Sequence, residues 1–284
     1  MILVAGATGN AGGAVVRALA GQGERVRAVV RDADRAPLPA GVDAVVGDLN
    51  QPETLAPHLD SVTAAFLLSG YEGLEETLAK MRRAGVERVV LLSSSAAPNG
   101  DLTNAVARYH ILSERAVRES GLGWTFLQPN SFMSNTFQWL PQLRQGDVIR
   151  AAFPDVRVAT IDPDDIGAVA AAALTSAAHE GRAYRLSGPE SLTPADRVAI
   201  LAGVLGRQLR FEGQSNEEAR AEMSEAMPGE YVDAFFRFFV DGDVDESTVL
   251  STVEEVTGRP PRTFGEWAAA HADDFRPPRR PGRG

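Results

Sequence analysis

Residues 1 to 13, Met-Ile-Leu-Val-Ala-Gly-Ala-Thr-Gly-Asn-Ala-Gly-Gly, constrain this chain more than any other stretch. Ile2 to Ala5 is apolar and uncharged, the pattern of a strand buried on both faces of a parallel sheet. Glycines follow at Gly6, Gly9 and Gly12, and then Ala14, Val15, Val16, Ala18 and Leu19 recur among other residues at helical spacing. Strand, glycine turn and helix in that order form the context that a dinucleotide-binding fingerprint requires. Gly6 allows a sharp turn off the strand, Gly9 lets a pyrophosphate approach the backbone, and Gly12 lets the helix pack closely on the strand. The helix start offers free N–H groups and a partial positive charge to phosphates, and Thr8, Asn10 and Ala11 add donors on the same turn.

The next strand ends carry the rest of the expected site. Val26 to Val30 reads as a second strand, with Arg31 directly after it, then Asp32 and, a turn later, Arg35. At this place in such folds an acid accepts from the ribose 2′-OH of NAD, whereas an arginine accommodates the 2′-phosphate of NADP. Arg31, with Arg35 as a second clamp, therefore favours NADP(H); Asp32, one place late for the acidic role, leaves NAD(H) open. A third strand over 42–46 closes in Gly47-Asp48-Leu49, where Asp48 faces the adenine amino group, caps a loop, or does both. Strands over 62–68, 86–92 and 124–128 end in Leu68-Ser69, Ser93-Ser94-Ser95 and Pro129-Asn130. Helices over 52–59, 74–84 and 104–120 separate them. The alternation predicts an α/β fold with a doubly wound parallel sheet, which binds ligands at the carboxyl ends of its strands. The glycine turn, Arg31, Asp48, Leu49, Leu68, Ser69 and Ser93 would thus share one edge.

Beyond Trp139 the spacing loosens. Strands are expected over 156–161 and 182–186, and helices over 163–178, 193 onward, 217–227, 231–240 and 263–275. The helix from Tyr231 carries Phe235, Phe236, Phe238 and Phe239, enough aromatic surface to wall a pocket or an interface, or simply to pack. The expected division is a dinucleotide-binding domain over 1–152 with returns from 153–190, a smaller, mainly helical substrate-side part over 191–275, and a disordered tail over 276–284 rich in Pro, Arg and Gly.

A net charge of −10 leaves no basic surplus for nucleic acid. No apolar run reaches membrane-spanning length, and no cationic leader precedes the first strand. The absence of cysteine excludes disulfides and thiolate metal sites, and His58, His179 and His271 show no ligand spacing, so no metal is expected. A cytoplasmic protein acting on a small molecule is the expectation, with a protein partner or homodimer left open.

These residues resemble the NmrA-like branch of the atypical short-chain dehydrogenase/reductases. The likeness rests on residues 4–12, on Val30-Arg31-Asp32, on Gly47-Asp48-Leu49, on residues 120–125, on Gln128-Pro129-Asn130-Ser131-Phe132-Met133-Ser134-Asn135 and on Asp162-Pro163-Asp164-Asp165-Ile166. It implies a Rossmann domain with NAD(P)H across the strand ends, a smaller C-terminal α+β part over the substrate side, and Pro129, Asn130 and Phe132 near the nicotinamide. Phe132, Met133, Phe137 and Trp139 would line an apolar acceptor pocket.

One departure from the family pattern decides the chemistry. Ordinary members carry Tyr-x-x-x-Lys on the helix before the sixth strand, as proton donor and ribose holder. Anchored on Glu114, those positions are Val106 and His110 here, and Tyr109 is one residue, about 100° of rotation, away from His110. Tyr109 is therefore not expected to point where the missing tyrosine would. Reducing a plain ketone leaves a strongly basic alkoxide that needs a positioned acid. Reducing a quinone leaves a phenolate-like oxygen with a pKa of about 10, and a conjugated acceptor an enolate in between. The pattern favours hydride transfer to a quinone-like or other activated acceptor, with His110 holding the ribose, donating a proton, or filling a structural role. The alternative is a non-catalytic NAD(P)-binding sensor acting through a protein partner.

Overall fold

The computed structural model of the protein describes residues 1–33 and 36–276. The expectations for Arg35 and for the tail beyond Arg276 lie outside those residues. The chain runs β1 (Ile2–Val4), α1 (Asn10–Gly21), β2 (Val26–Val30), β3 (Asp43–Val46), α2 (Pro52–Leu55), β4 (Ala64–Leu68), α3 (Leu74–Arg83), β5 (Arg88–Leu92), α4 (Ala105–Glu119) and β6 (Gly123–Pro129). It continues through α5 (Leu140–Gln145), β7 (Val148–Ala151), α6 (Pro163–Thr175), β8 (Arg182–Leu186), α7 (Pro194–Leu205) and β9 (Arg210–Gly213). Four helices close it: α8 (Asn216–Ala226), α9 (Gly229–Phe239), α10 (Thr252–Thr257) and α11 (Phe264–Ala270).

Seven strands form one parallel sheet in the order β3-β2-β1-β4-β5-β6-β8. Ile2 stands opposite Val26 on one side and Ala64 on the other. The chain moves outward from β1 through β2 to β3 and then returns to lay β4 on the other flank of β1. This reversal of direction opens a crevice at the carboxyl ends of β1 and β4, the place where such sheets bind ligands.

Side chains of a strand alternate between faces. Ile2 and Val4 pack with Val15, Val16 and Leu19 of α1 and Ile166, Val169 and Ala170 of α6, while Leu3 and Ala5 pack on the other face with Leu78 and Met81 of α3 and Val117 of α4. Val15, Val16 and Leu19 are fully buried, each stabilising the fold by about 1.5–3 kcal/mol. Helices α1 and α6 approach closely because their contact residues are small: a Cβ on Gly167 would lie 2.7 Å from the Ala14 carbonyl carbon. α4 starts on Asn104, whose side chain accepts from the Val106 and Ala107 N–H groups at 3.0 and 3.1 Å. A further core, with Trp139, Leu143, Ile149, Leu201 and Trp267, joins α5, β7, α7 and α11, and β7 pairs in parallel with β9.

Several boundaries differ from the sequence expectation. The helix expected over 52–59 stops at Leu55 and continues as a 3-10 turn over Ala56–His58, because Pro57 has no N–H to donate. The segment over 156–161 is not a strand. Val158 N–H donates to Leu192, Ala159 N–H to Glu246 and Ile161 N–H to Ser131, so each residue finds a different neighbour and no ladder forms. The strands β7 and β9 and the short helices α5 and α10 were not expected. Among the described residues no helix is long and apolar enough to cross a membrane, and no group of His, Asp or Glu is placed to hold a metal.

Candidate functional site

The glycine turn leaves β1 over Gly6, whose φ of 62° is in the left-handed region. A Cβ on Gly12 would stand 2.2 Å from the Gly6 carbonyl oxygen, so only glycine fits where α1 crosses the turn. Thr8, Gly9 and Asn10 are exposed, whereas Ala11 is buried and offers only its backbone. Gly9 caps α1 without any side-chain hydrogen bond, so no side chain claims the first-turn N–H groups. Bare, outward-facing amides at a helix start are a donor set that fits a pyrophosphate.

The other strand ends surround this turn. Leu68 closes over Gly6, with its Cδ1 2.6 Å from where a Gly6 Cβ would be. Arg31 is exposed and makes no ion pair with any described residue. Asp48 has a loop role: its Oδ1 accepts from Asn50 N–H at 2.9 Å and its own N–H donates to Thr54 Oγ1 at 2.9 Å, while Leu49 beside it is buried. Ser69 Oγ donates to the Leu92 carbonyl at 2.8 Å.

A cavity of about 360 Å³ opens at the ends of β4, β5 and β6. Leu68, Ser69, Ser93, Pro129, Asn130 and Phe132 reach it from the sheet side, as expected from the sequence. Ser93 is nonetheless committed: its hydroxyl donates to Glu114 Oε1 at 2.6 Å, and Gln128 and Arg118 donate to the same carboxylate, which locks α4 to the sheet. Asn130 Nδ2 donates to the carbonyls of Ala159 and Glu246 at 3.3 and 3.0 Å, but its buried Oδ1 has no partner. That orphaned acceptor fits the amide of a nicotinamide carboxamide.

α4 forms the opposing wall with Val106, Tyr109 and His110. Val106 and His110 are four residues apart and share a face. Tyr109, expected to point elsewhere, lines the cavity too, because the lining face of a helix spans 100° or more and takes in the third residue as well as the fourth. Its ring lies 4.1 Å from that of His110 and covers Gly70. Burial pushes the Tyr109 phenol above its ordinary value of 10.0 and holds His110 down at about 4. The His110 ring is therefore neutral at neutral pH, and its buried Nδ1 has no partner. No lysine or arginine is among the described residues that line this cavity.

Helix α9 supplies the aromatic roof. Phe235, Phe238 and Phe239 face the cavity, while Phe236 packs with Val232 and Ala219 in a small core. Glu246 completes the wall and accepts from Ser95 Oγ at 2.6 Å, Ser131 Oγ at 2.5 Å and Ser131 N–H at 3.1 Å. Burial raises its carboxyl against the lowering pull of those serine bonds.

A second cavity of about 680 Å³ shares Ser131, Asn135, Phe235 and Phe239 with the first. Trp139 lines this second space. Met133 and Phe137, expected in the acceptor pocket, line neither cavity. Met133 is buried in the core of the C-terminal part, and Phe137 stacks against Phe275 at 5.1 Å. The 3-10 turn over Met133–Trp139 rotates them inward, and Asn135 takes the place on the cavity. Glu246 ends the acidic run Asp241-Gly242-Asp243-Val244-Asp245-Glu246, which carries no motif that marks it as a site residue.

The model of an NAD(P)H-binding family matches residues 6–177. The chain belongs to this NAD(P)H-binding family. The chain is 40% identical to the (4-alkanoyl-5-oxo-2,5-dihydrofuran-3-yl)methyl phosphate reductase of Streptomyces griseus, over 98% of this chain and 100% of that one. It is 36% identical to the NAD(P)H azoreductase of Xenophilus azovorans, over 97% and 99%. The fold is that of the NADPH-dependent quinone oxidoreductase of Escherichia coli solved with NADPH, with a TM-score of 0.77 at 24% identity, over 95% of this chain and 99% of that one. The chain is thus a member of an NAD(P)H-binding family and is similar to proteins named as reductases of small molecules.

Proposed function

We propose that this protein is an NADPH-dependent reductase that passes hydride to a quinone or another conjugated small-molecule acceptor. The observation that carries the reading is the α4 wall of the first cavity, where Val106, Tyr109 and His110 stand and no lysine or arginine is among the described lining residues; by the family resemblance Val106 and His110 occupy the positions of a tyrosine–lysine relay. A phenol whose pKa burial has raised is a poor acid at neutral pH. An acceptor that becomes a phenolate-like or enolate anion tolerates that; a plain ketone does not.

The bound nicotinamide supplies the hydride. On the protein side, the Gly6, Gly9 and Gly12 turn, with Thr8, Asn10 and Ala11, holds the pyrophosphate. Arg31 meets the 2′-phosphate, and Asp48, Leu49, Leu68 and Ser69 flank the adenosine and the crevice. Pro129, Asn130 and Ser93 border the nicotinamide, with Asn130 Oδ1 accepting from its carboxamide. His110, neutral, offers the ribose a hydrogen bond rather than an imidazolium proton. Phe132, Phe235 and Phe239 present aromatic faces to a flat acceptor. Glu246 and the two serines it binds are the protonatable network on the same wall. The names of the relatives support this reading: an alkanoyl-oxo-dihydrofuran, an azo compound and a quinone are all conjugated acceptors.

The test is NADPH consumption with a naphthoquinone and an alkanoyl butenolide, set against cyclohexanone. The quinone and butenolide should turn over, and cyclohexanone at least about 100-fold more slowly, the size of a missing general acid. Equal rates on the ketone would contradict the reading. Tight NADPH binding with no turnover on any acceptor would point instead to a sensor that works through a partner protein.

A further inference from the structure

The second cavity contains a charge that the fold does not use. Arg197, the fourth residue of α7, lines this space, with its guanidinium 5.4 Å from the centre of the Trp139 ring. Its Nε is buried and makes no hydrogen bond, and the side chain forms no ion pair with any described residue. The other charged groups on this cavity are accounted for. Arg150 pairs with Glu218 at 2.9 Å, and Glu222 accepts from Gln214 Nε2 at 2.5 Å without pairing to Arg197. Burial pulls the Arg197 guanidinium down to about 10, so it remains charged at neutral pH. Arg197 is half-buried with its Nε shut off from water, and a cation in that position without a counter-charge is costly and is retained where something outside the fold completes it.

We propose that Arg197 anchors an anionic group, a phosphate monoester or a carboxylate, carried by the acceptor. The planar guanidinium fork suits two oxygens of such a group, and Trp139 beneath it fixes its plane. Ser131, Asn135, Phe235 and Phe239 line both cavities, so the two spaces adjoin along these side chains. A molecule with its conjugated ring in the first cavity extends its anionic arm into the second. This rests on the reductase reading for the ring, but the anchor itself is testable without turnover.

The direct test is calorimetry of phenyl phosphate and of benzoate binding to NADP-loaded protein. Arg197→Met should weaken the bound probe by about 10- to 100-fold, the worth of a charged hydrogen-bonded contact, and Arg197→Lys by less, with NADPH affinity unchanged. Binding of phenyl phosphate alone assigns a phosphate arm, benzoate alone a carboxylate arm, and both a site that reads charge. Binding of neither, or equal binding by wild type and Arg197→Met, overturns the proposal. In turnover, 2-methyl-1,4-naphthoquinone is compared with the same ring carrying a short phosphonate or carboxylate arm. Arg197→Met should lower kcat/KM for the charged quinone and leave the neutral one unchanged. The thermal midpoint should hold or rise once the uncompensated cation is removed, whereas a structural arginine would lower it. A lower midpoint with an unaltered preference between the two quinones contradicts the anchor. If no quinone is reduced at all, the reductase reading fails and the calorimetric arm still decides the anchor.

Discussion

The two ends of the candidate site are built from different materials. The core of the proposed cofactor end is backbone: amides and carbonyls of residues 6 to 12, one unbroken stretch, set by clearances as short as the 2.2 Å between a would-be Gly12 Cβ and the Gly6 oxygen, with a few side chains such as Arg31 added at its edge. The acceptor end is side chains gathered from far along the chain: Tyr109 on α4, Phe132 after β6, Phe235 and Phe239 on α9, and Glu246 beyond it. A backbone seat admits few substitutions and suits a ligand shared by a whole family. A wall of separate side chains can be changed one residue at a time, which is how members of one fold come to reduce different acceptors.

If that division is right, substitutions should separate cleanly by end. Arg31→Ala should raise the Kd for NADPH by about 10- to 100-fold, the loss of a charged contact, and leave NADH unchanged, read by fluorescence titration. Equal losses for both coenzymes would remove Arg31 from the 2′-phosphate. Phe239→Ala, on the wall shared by the two cavities, should raise the acceptor KM by about tenfold with NADPH affinity intact. A change in NADPH affinity instead would blur the two ends into one.

His110 gives the smallest effect on turnover. Since burial holds it at about 4, the pH profile of kcat/KM should show no inflection near 6.5. Its effect belongs to stability. The unfolded chain binds a proton on this ring below about 6.5 and the folded one only below about 4, so the contribution is complete above 6.5 and is lost as the pH falls toward 4. Thermal midpoints measured across that window should fall less in His110→Gln than in wild type.

The sheet was legible because its central strands β1, β2, β4, β5 and β6 are local, largely apolar runs closed by turn residues. The bounds 26–30 and 182–186 read from the sequence are those of β2 and β8. The glycine turn was legible for the same reason, since its chemistry lies within a few consecutive residues. β7 and β9 were not: Val148-Ile149-Arg150-Ala151 and Arg210-Phe211-Glu212-Gly213 are short and mixed, and they are strands only because they pair with each other. The acceptor wall was half legible. The aromatic run on α9 announced a surface but not which rings turn inward, and Met133 and Phe137 were misplaced because the 3-10 turn after β6 has neither the strand nor the α-helical period. Glu246 and Arg197 carry no local signal at all; only tertiary packing puts the first beside two serines and the second over Trp139.

The central claim is that the reduced coenzyme rests on bare amides at the start of α1. Calorimetric titration of NADPH into wild type and Gly9→Asp tests it most directly, since Gly9 is exposed and an added Cβ would meet only the Gly6 carbonyl oxygen, at 3.3 Å. The account predicts one bound NADPH per chain in wild type and at least about 100-fold weaker binding in Gly9→Asp, with an unchanged thermal midpoint, because a carboxylate would crowd and repel the pyrophosphate. Equal heats from the two folded proteins, or none from wild type, would contradict it.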